Sequence, residues 1–218
     1  MTLRGLFITF EGGEGCGKTT QIQILADQIR DLTSDPFVVT REPGGVPAAE
    51  LIRRLLVNGD AETWHAATEG LLMSAARYEH VEQIIRPALA RNELVISDRF
   101  VDSTIVYQGM VGGMSADDIA AISKIACGDI YPDITIILDI DTQIGLERAK
   151  SRGAAEDRFE AKGHAYHEKV RTGYLEIAVN APTRCVVINA NRMPDEVAKD
   201  IWQVLRPHLL TSDLIDHG

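Results

Sequence analysis

The stretch Gly12-Gly13-Glu14-Gly15-Cys16-Gly17-Lys18-Thr19-Thr20 decides the fold of this chain. It satisfies the pattern G-x-x-x-x-G-K-[ST], in which backbone N–H groups surround phosphate oxygens. The tight turns of such a loop need positive φ angles, which glycine adopts at little cost. Lys18 then supplies a charge for the β- and γ-phosphates, and the Thr19 hydroxyl is placed to bind Mg²⁺.

The flanking sequence supports a phosphate-binding loop. Leu6–Phe10 is an apolar run of strand length before the loop, and apolar residues recur at helical spacing after it, at Ile22, Leu25, Ala26 and Ile29. Strand, glycine loop and helix follow in the required order, and the helix N-terminus adds its dipole to the anion site. The chain is therefore predicted to bind a nucleoside triphosphate.

The composition is that of an ordinary globular chain. Its 218 residues are 45% hydrophobic, so residues 1–218 are predicted to form one domain. The formal charge of −10 disfavours binding to nucleic acid. Cys16, Cys127 and Cys185 lack disulfide or metal spacing, which is typical of a reducing compartment. Without a recognisable signal sequence or membrane span, we predict a cytoplasmic protein with no membrane partner.

Short apolar stretches alternate with helical periodicity along the chain. They are Leu6–Phe10, Phe37–Thr40, Leu94–Ser97, Ile134–Leu138 and Cys185–Ile188. Four of them are nearly continuous apolar runs, which indicates strands buried on both faces, and Phe37–Thr40 is expected to be buried in this way. The sequence therefore predicts an α/β protein, a three-layer P-loop fold with a five-stranded parallel sheet flanked by helices.

Three other segments are informative. Residues 63–91 form a long helical tract, with a bend expected at Pro87. Ser115 has the character of an N-cap for a helix that ends near Cys127. The charged segment at about residues 150–163 has little apolar content and is predicted to be an arginine-rich lid.

Polar residues follow the apolar strands, at the edge of a parallel sheet where ligands bind. Glu11, Arg41, Asp98 and Arg99 all stand at such positions. The Asp98 carboxylate is placed to hold the Mg²⁺ shell, and the adjacent guanidinium of Arg99 can bind a second phosphate. An ordinary surface Asp–Arg pair is the alternative.

Met73 and Arg77 are four residues apart on the long helical tract and share a face. Together with Arg41 and Arg99, Arg77 could line a pocket for an anionic, planar acceptor. An ordinary salt bridge to a nearby acid is the alternative role for Arg77.

The predicted lid and the helix before it carry Arg148, Lys150, Arg152 and Arg158. Phosphoryl transfer benefits from positive charge that closes over the γ-phosphate, and one arginine so placed contributes roughly 10³–10⁵ in rate. A solvated run of charges is the alternative, and the spacing does not decide which arginine acts.

Several motifs occur together in one order: Glu-Gly-x-Glu-Gly-x-Gly-Lys-Thr-Thr, Thr-Arg-Glu-Pro-Gly-Gly, Ala-Ala-Arg, Asp-Arg-Phe, Tyr-Gln-Gly and Asp-Arg-Phe-Glu. In this order the chain resembles the thymidylate kinases over essentially its whole length. The resemblance implies a P-loop nucleoside monophosphate kinase, usually a homodimer, that converts ATP and dTMP to ADP and dTDP for dTTP synthesis.

The resemblance also implies the nucleotide contacts. ATP would bind Gly12–Thr20 with Mg²⁺, and Arg148 would stack on adenine. The residues implied for dTMP are Glu11, Arg41, Pro43, Met73, Arg77, Asp98, Arg99, Ser103, Thr104, Tyr107 and Gln108. Among these, Arg41 and Arg99 would hold the phosphate, and Glu11 would approach the 3′-hydroxyl or the metal's water shell. Tyr107, with Gln108 completing the wall, would exclude a ribose 2′-hydroxyl.

At the base, the resemblance implies that Arg77 meets the thymine carbonyl and that Thr104 or Ser103 meets the ring edge. The family usually has a phenylalanine four residues before this arginine, whereas this chain has Met73. Because a thioether is flexible and stacks less specifically, a looser base pocket is expected.

The set of catalytic residues implied by the resemblance is Lys18, Arg99, Arg152, Arg158 and Glu11. Family members of the bacterial type that lack an arginine in the phosphate loop use lid arginines, and this loop has none. A general base is not needed, because the acceptor phosphate is already an anion and positioning does most of the work.

Three other functions are possible for a chain with this phosphate loop. A P-loop kinase for another small acceptor would share most of these features. A GTPase switch needs an Asn-Lys-x-Asp sequence, which is absent from the chain. A partition-type ATPase would show a second lysine early in the loop, and Gly12–Gly17 contains none.

Overall fold

The computed structural model describes residues 2–3, 5–60, 62–151, 158 and 162–211. Within these residues, five parallel strands form one sheet: β2 (Phe7–Glu11), β3 (Phe37–Arg41), β4 (Leu94–Asp98), β5 (Ile134–Asp139) and β6 (Cys185–Asn189). Their order across the sheet is β3-β4-β2-β5-β6. Parallel neighbours need crossover connections, and helices provide them, so the predicted α/β fold is confirmed.

The helices cover both faces of this sheet. They are α1 (Lys18–Leu32), α2 (Pro47–Val57), α3 (Ala66–His80), α4 (Arg86–Ala90), α5 (Val101–Thr104), α6 (Ala116–Cys127), α7 (Thr142–Ser151), α8 (Gly163–Asn180) and α9 (Pro194–Leu209). None of the helices in the described part of the chain is long and apolar enough to cross a membrane.

The two faces of β2 lead to separate cores, because successive strand residues point to opposite sides. Ile8 and Phe10 pack with α1 and α9 in one cluster, which includes Leu25 and Ile201. Phe7 points the other way, into a cluster with the segment around residues 81–88 and the end of α6. The central strands are therefore buried on both faces, as their apolar runs predict.

The prediction that Phe37–Thr40 is a buried strand is wrong. It forms most of β3, which lies at an edge of the sheet and whose residues are half-buried or exposed, Val39 being 43% exposed. An edge strand has one strand neighbour, so its outer side is left to solvent. Strand order depends on pairing over long sequence distances, which an apolar run does not encode.

The bend expected at Pro87 takes the form of a π-helical turn, Val81–Ile85, between α3 and α4. A proline ring clashes with the carbonyl four residues earlier, and a π turn directly before it relieves this conflict. The N-cap prediction at Ser115 is confirmed, because its hydroxyl accepts a hydrogen bond from the Asp118 amide at 3.1 Å. The helix that begins at Val101 also becomes π-helical, over Ile105–Val111.

A short pair of strands near the two ends of the chain lies apart from the main sheet. Strands β1 (Thr2–Leu3) and β7 (Leu210–Thr211) pair antiparallel, a pairing that the sequence analysis did not predict. Most of the predicted lid, residues 152–157 and 159–161 including Arg152, lies outside the described residues.

Candidate active site

The phosphate loop joins β2 to α1, as its pattern requires. Gly12, Gly15 and Gly17 have φ angles of 136°, 69° and 93°, so the turns that open the loop use the left-handed region available to glycine. Lys18 is the first residue of α1, and its Nζ donates hydrogen bonds to the carbonyls of Gly12 and Gly13, each at 3.1 Å. The ammonium group therefore lies across the mouth of the loop.

Helix α7 supports the loop from behind. A Cβ atom at Gly145 would lie 2.6 Å from the carbonyl oxygen of Glu14, a distance that no real side chain tolerates. Glycine at this position allows the helix backbone to contact the loop directly, so the loop is held between α1 and α7.

Thr19 and Asp98, the two residues predicted to bind metal, lie next to each other. The Thr19 hydroxyl donates to Asp98 Oδ2 at 3.0 Å. Hydroxyl and carboxylate oxygens are ligands that Mg²⁺ prefers, and Mg²⁺ commonly keeps waters and phosphates as its other ligands. This is consistent with the described residues, which hold no group of three or more His, Cys, Asp or Glu suited to a metal.

Arg99 connects the loop to the rest of the site. Its φ angle is 72°, an unfavourable conformation for a residue with a side chain, and such strain is concentrated at functional sites. Nη1 donates to the carbonyl of Gly12 at 3.2 Å and to the Tyr174 hydroxyl at 3.0 Å. Nη2 donates to Glu14 Oε1 at 2.8 Å and to the Tyr107 hydroxyl at 3.3 Å. The guanidinium is thus fixed beside the phosphate loop.

Two carboxylates near Arg99 differ in environment. Burial raises the pKa of Glu14, but the charges of Arg99 and Lys18 outweigh it and the net pKa is lowered, so Glu14 is ionised. Glu11 is fully buried and accepts hydrogen bonds from the Phe100 amide at 2.8 Å and from the Ser103 hydroxyl at 2.7 Å. Burial, with Asp102 nearby, raises the pKa of Glu11 to about 7.

A cavity of about 370 Å³ opens beside the loop at the carboxyl ends of β2, β3 and β4. Most of the residues predicted from sequence for the acceptor line it: Arg41, Pro43, Met73, Arg77, Asp98, Arg99, Ser103, Thr104, Tyr107 and Gln108. The lining also includes Glu14, Gly15, Gly17, Lys18 and Thr19 from the phosphate loop and α1. Glu11 does not line the cavity. Its buried carboxylate accepts hydrogen bonds from Phe100 and Ser103, which do line it.

Arg77 is buried in the cavity wall. Its Nε donates to Glu42 Oε2 at 2.7 Å, and Nη2 donates to the carbonyl of Phe100 at 3.0 Å and to Thr104 Oγ1 at 3.1 Å. Burial by itself lowers the pKa of this guanidinium, but Glu42 more than offsets it and the net pKa is raised. Arg77 therefore has both the salt bridge and the place in the pocket that the sequence left open as alternatives.

Arg148 and Arg158, two of the arginines in and before the predicted lid, do not line the cavity. Arg148 Nη1 donates to the carbonyl of Ala190, in the loop after β6, at 3.3 Å. Arg158 is buried and donates to the carbonyls of Leu56 and Asp60 at 2.9 and 3.0 Å, and it forms an ion pair with Glu69. It does not line the cavity, so its catalytic role stays a prediction.

Glu42, Arg53 and Val57 also line the cavity and were not predicted from the sequence. Arg53 Nη1 donates to the carbonyl of Pro43 at 2.6 Å, which joins α2 to the loop after β3. Glu42 lies inside the Thr-Arg-Glu-Pro-Gly-Gly motif, so a signal for it was present. Arg53 and Val57 are four residues apart on α2, but nothing local marks which face of that helix meets the pocket.

The fold and the site together define the class of protein to which this chain belongs. A phosphate loop on a parallel sheet, an acid at the end of a neighbouring strand and a second, arginine-lined cavity beside the loop are the parts of a P-loop kinase for a small phosphorylated acceptor. Comparisons with known proteins identify the family within this class.

A family model described as thymidylate kinase matches residues 10–201. The chain is 53% identical over 202 residues to a thymidylate kinase of Caulobacter vibrioides, covering 93% of this chain and 96% of that protein. It is 47% identical over 213 residues to one of Nitrobacter hamburgensis, covering 97% and 92%. The crystal structure of thymidylate kinase from Ehrlichia chaffeensis matches with a TM-score of 0.76 at 34% identity, covering 92% of this chain and 98% of that one. The chain belongs to the thymidylate kinase family.

Proposed function

We propose that the cavity beside the phosphate loop binds the acceptor nucleotide of this kinase while ATP occupies the loop. The reaction is ATP + dTMP → ADP + dTDP, a step in dTTP synthesis. The observation that carries this arrangement is the position of Arg99, whose guanidinium reaches both the Gly12 carbonyl in the loop and the Tyr107 hydroxyl in the cavity wall. A cation there lies between the donor and acceptor phosphates.

On the donor side, we assign the ATP phosphates to the backbone N–H groups of Gly12–Thr20 and to Lys18. Arg148, which is bonded to the loop after β6, is assigned to adenine. The oxygen atoms of Thr19 and Asp98 fit a Mg²⁺ ion carried by ATP. When bound, this ion neutralises charge on the phosphoryl group that is transferred.

On the acceptor side, we assign the dTMP phosphate to Arg41 and Arg99, because phosphate oxygens suit the fork of donors on a guanidinium. The Tyr107 hydroxyl donates a hydrogen bond to Glu14 Oε1 at 3.2 Å, and both residues line the cavity. This supports the assignment of these two side chains to the sugar of dTMP. We assign Glu11 a supporting role instead, since it accepts a hydrogen bond from the Ser103 hydroxyl.

At the base, Met73 supplies apolar contact and Arg77 supplies donors. Thr104 or Ser103 is assigned to the ring edge. Gln108 Nε2 donates a hydrogen bond to Glu69 Oε2 at 3.1 Å, which fixes the Gln108 side chain. This supports a rigid wall beside the sugar, with which a ribose 2′-hydroxyl would collide. Together these contacts select a deoxyribonucleotide that carries a carbonyl on its base.

The chemical step needs positioning rather than a general base. An oxygen of the dTMP phosphate attacks the γ-phosphorus of ATP, the bond to the ADP oxygen breaks, and cations stabilise the spreading negative charge. Lys18 and Arg99 supply two of these cations, and we assign the others to Arg152 and Arg158 of the lid. Arg158 would have to exchange Glu69 for the γ-phosphate, so Arg152 is the simpler candidate.

The test is ADP production with Mg²⁺-ATP and a panel of dTMP, dUMP, UMP, dCMP and AMP. We expect turnover concentrated on dTMP, with dUMP behind it. The variant Arg99→Lys keeps the charge but loses the fork of donors, so kcat/KM for dTMP should fall by roughly 100-fold or more. Arg91→Lys, at an exposed arginine paired with Glu93, is the matched control. ATP binding without turnover on any acceptor would contradict the acceptor assignments.

We further propose a single domain over residues 1–218 with a lid at about residues 150–163, and a homodimer. Large apolar side chains are exposed on α2, α3 and α6, which supports an interface there: Leu51, Leu55, Leu71, Tyr78 and Ile125.

We place the protein in the cytoplasm, because Cys16, Cys127 and Cys185 are free thiols, as is usual in a reducing compartment.

A further inference from the structure

We propose that His80 is a positioning residue of this kinase, which acts through Glu42 to hold the Arg77 guanidinium against the base of the acceptor and thereby sharpens the choice of base. The proposal rests on the assignment of Arg77 to the base made above. His80 is fully buried and does not line the cavity, so any effect it has on the acceptor must pass through other residues.

One carboxylate joins the two side chains. Glu42 Oε2 accepts a hydrogen bond from Arg77 Nε at 2.7 Å, and Glu42 Oε1 accepts one from His80 Nδ1 at 2.9 Å. Arg77 and His80 are three residues apart in α3, so both face the end of β3, where Glu42 follows the strand. Each oxygen of the carboxylate therefore has its own buried donor.

The far side of the imidazole ring is also fixed. A ring whose Nδ1–H donates to Glu42 has Nε2 available as an acceptor, and the Thr40 hydroxyl lies 2.7 Å from it. Gly45 closes the arrangement, because a Cβ there would lie 2.8 Å from both Cδ2 and Nε2 of His80. The turn that follows β3 is thus folded around this ring, which accounts for a glycine at the end of the Arg-Glu-Pro-Gly-Gly motif.

With Nε held by Glu42 and Nη2 held by the Phe100 carbonyl and Thr104, the plane of the Arg77 guanidinium is set. The group also lies over the Phe100 ring, 5.2 Å from its centre. Nη1 is the third nitrogen of the Arg77 guanidinium. It is buried and has no hydrogen-bond partner among the described residues, although Arg77 lines the cavity.

The guanidinium forms part of the cavity wall and carries only donors, so it favours a base that brings an acceptor oxygen to that wall. Thymine offers a ring carbonyl, whereas cytosine carries an amino group at the corresponding position and leaves the donors unpaired. A site built to hydrogen-bond one group rejects an analogue that lacks it far better than an apolar site does. This discrimination needs a guanidinium that cannot turn away, and the link from His80 through Glu42 prevents the turn.

The experiment compares two amide variants. In His80→Asn the amide nitrogen lies close to the place of Nδ1 and can still donate to Glu42. In His80→Gln it lies near the place of Nε2, and the donor to Glu42 is lost. We expect His80→Gln to raise the KM for dTMP by about tenfold and to reduce the preference for dTMP over dCMP, with the KM for ATP unchanged. His80→Asn should stay within about threefold of the parent enzyme.

Two further variants distinguish a loss of stability, an error in the assignment of Arg77 and an error in the role of His80. Ile85→Ala creates a cavity in the core away from the site and controls for lost stability. Arg77→Gln tests the base contact itself. If Arg77→Gln leaves KM and base preference unchanged, the assignment of Arg77 fails and this inference with it. If Arg77→Gln changes both but His80→Gln behaves like Ile85→Ala, or like His80→Asn, only the role of His80 is refuted.

Should His80→Gln fail to fold, Thr40→Val tests the same link from its far end. The valine removes the hydroxyl that orients the ring at nearly unchanged volume. It should shift the preference for dTMP over dCMP in the same direction by about twofold to threefold, without changing the KM for ATP. An unchanged base preference would overturn the proposal.

Discussion

At the scale of single residues, Met73 determines how rigidly the pocket holds the acceptor base. It lines the cavity one helical turn before Arg77, where the family usually has an aromatic ring. A methionine side chain has three rotatable bonds and loses more freedom when it packs on a base than a rigid ring does.

The variant Met73→Phe should lower the KM for dTMP by about twofold to tenfold, because offset aromatic stacking adds favourable energy beyond the area it buries. Steady-state kinetics at saturating ATP measure this. Met193→Phe, at an exposed methionine in the loop before α9, is the control and should change nothing. An unchanged or raised KM in Met73→Phe would argue against this placement of Met73.

Glu11 gives the stability of the fold a pH dependence. Burial raises its pKa from 4.5 to about 7, so the folded state binds the proton more tightly than the unfolded state. Between these values the unfolded carboxyl group ionises while the folded one keeps its proton. The free energy of unfolding therefore decreases as pH rises from about 4.5 to about 7 and is insensitive to this group above that range.

Glu11→Gln removes the titration and keeps the shape. Between pH 5 and pH 7.5 the parent protein should lose up to about 3 kcal/mol more stability than this variant, from the size of the shift. Urea unfolding at a series of pH values measures the difference. Parallel curves for the two proteins would mean that Glu11 ionises normally in the folded state.

At the scale of elements, the contact between α7 and the phosphate loop links the nucleotide site to the segment that leads into the lid. Gly145 makes this contact possible, since any side chain there would meet the Glu14 carbonyl. Glycine costs a helix interior about 1 kcal/mol relative to alanine. The close approach to the loop explains why it stands there.

Gly145→Ala should therefore raise the KM for ATP by about fivefold or more, because α7 and the loop must move apart and the loop amides lose their alignment on the phosphates. The KM for dTMP should change less. Gln143→Ala introduces the same residue at an exposed position of the same helix and serves as control. Equal changes in both KM values would indicate general loss of stability instead.

At the scale of the whole molecule, the exposed apolar side chains of α2, α3 and α6 form the surface proposed for dimer formation. Helix α3 packs against both α2 and α6, so their outer residues are neighbours. Ile125 is 73% exposed and Leu71 is 58% exposed, which is unfavourable for a chain that stays monomeric in water.

Leu71→Glu places a charge within this surface and should convert a dimer to a monomer, because burying an unpaired carboxylate costs several kcal/mol. Sedimentation velocity at micromolar concentration gives the mass. Val179→Glu, at a residue of α8 that is 77% exposed, should leave the assembly unchanged. A dimer that persists in Leu71→Glu would exclude this surface as the interface.

The phosphate loop, the positions of the five strands of the main sheet and the N-cap at Ser115 could all be predicted from the sequence. Each depends on residues close together in the chain: glycines that allow positive φ, apolar runs of strand length, and a hydroxyl three residues before the amide it binds. Arg41, Asp98 and Arg99 could also be predicted, because the carboxyl ends of parallel strands meet at one edge of the sheet. Most of the other cavity residues were predicted from the resemblance to the thymidylate kinases.

Only the tertiary structure decided which of these residues face each other. It put β3 at the edge of the sheet, turned Glu14 rather than Glu11 toward the cavity, and paired Arg158 with Glu69, 89 positions earlier in the chain. It also joined Arg77 and His80 through Glu42. Such contacts depend on the path of the backbone between distant segments, and neither residue type nor local spacing carries that information.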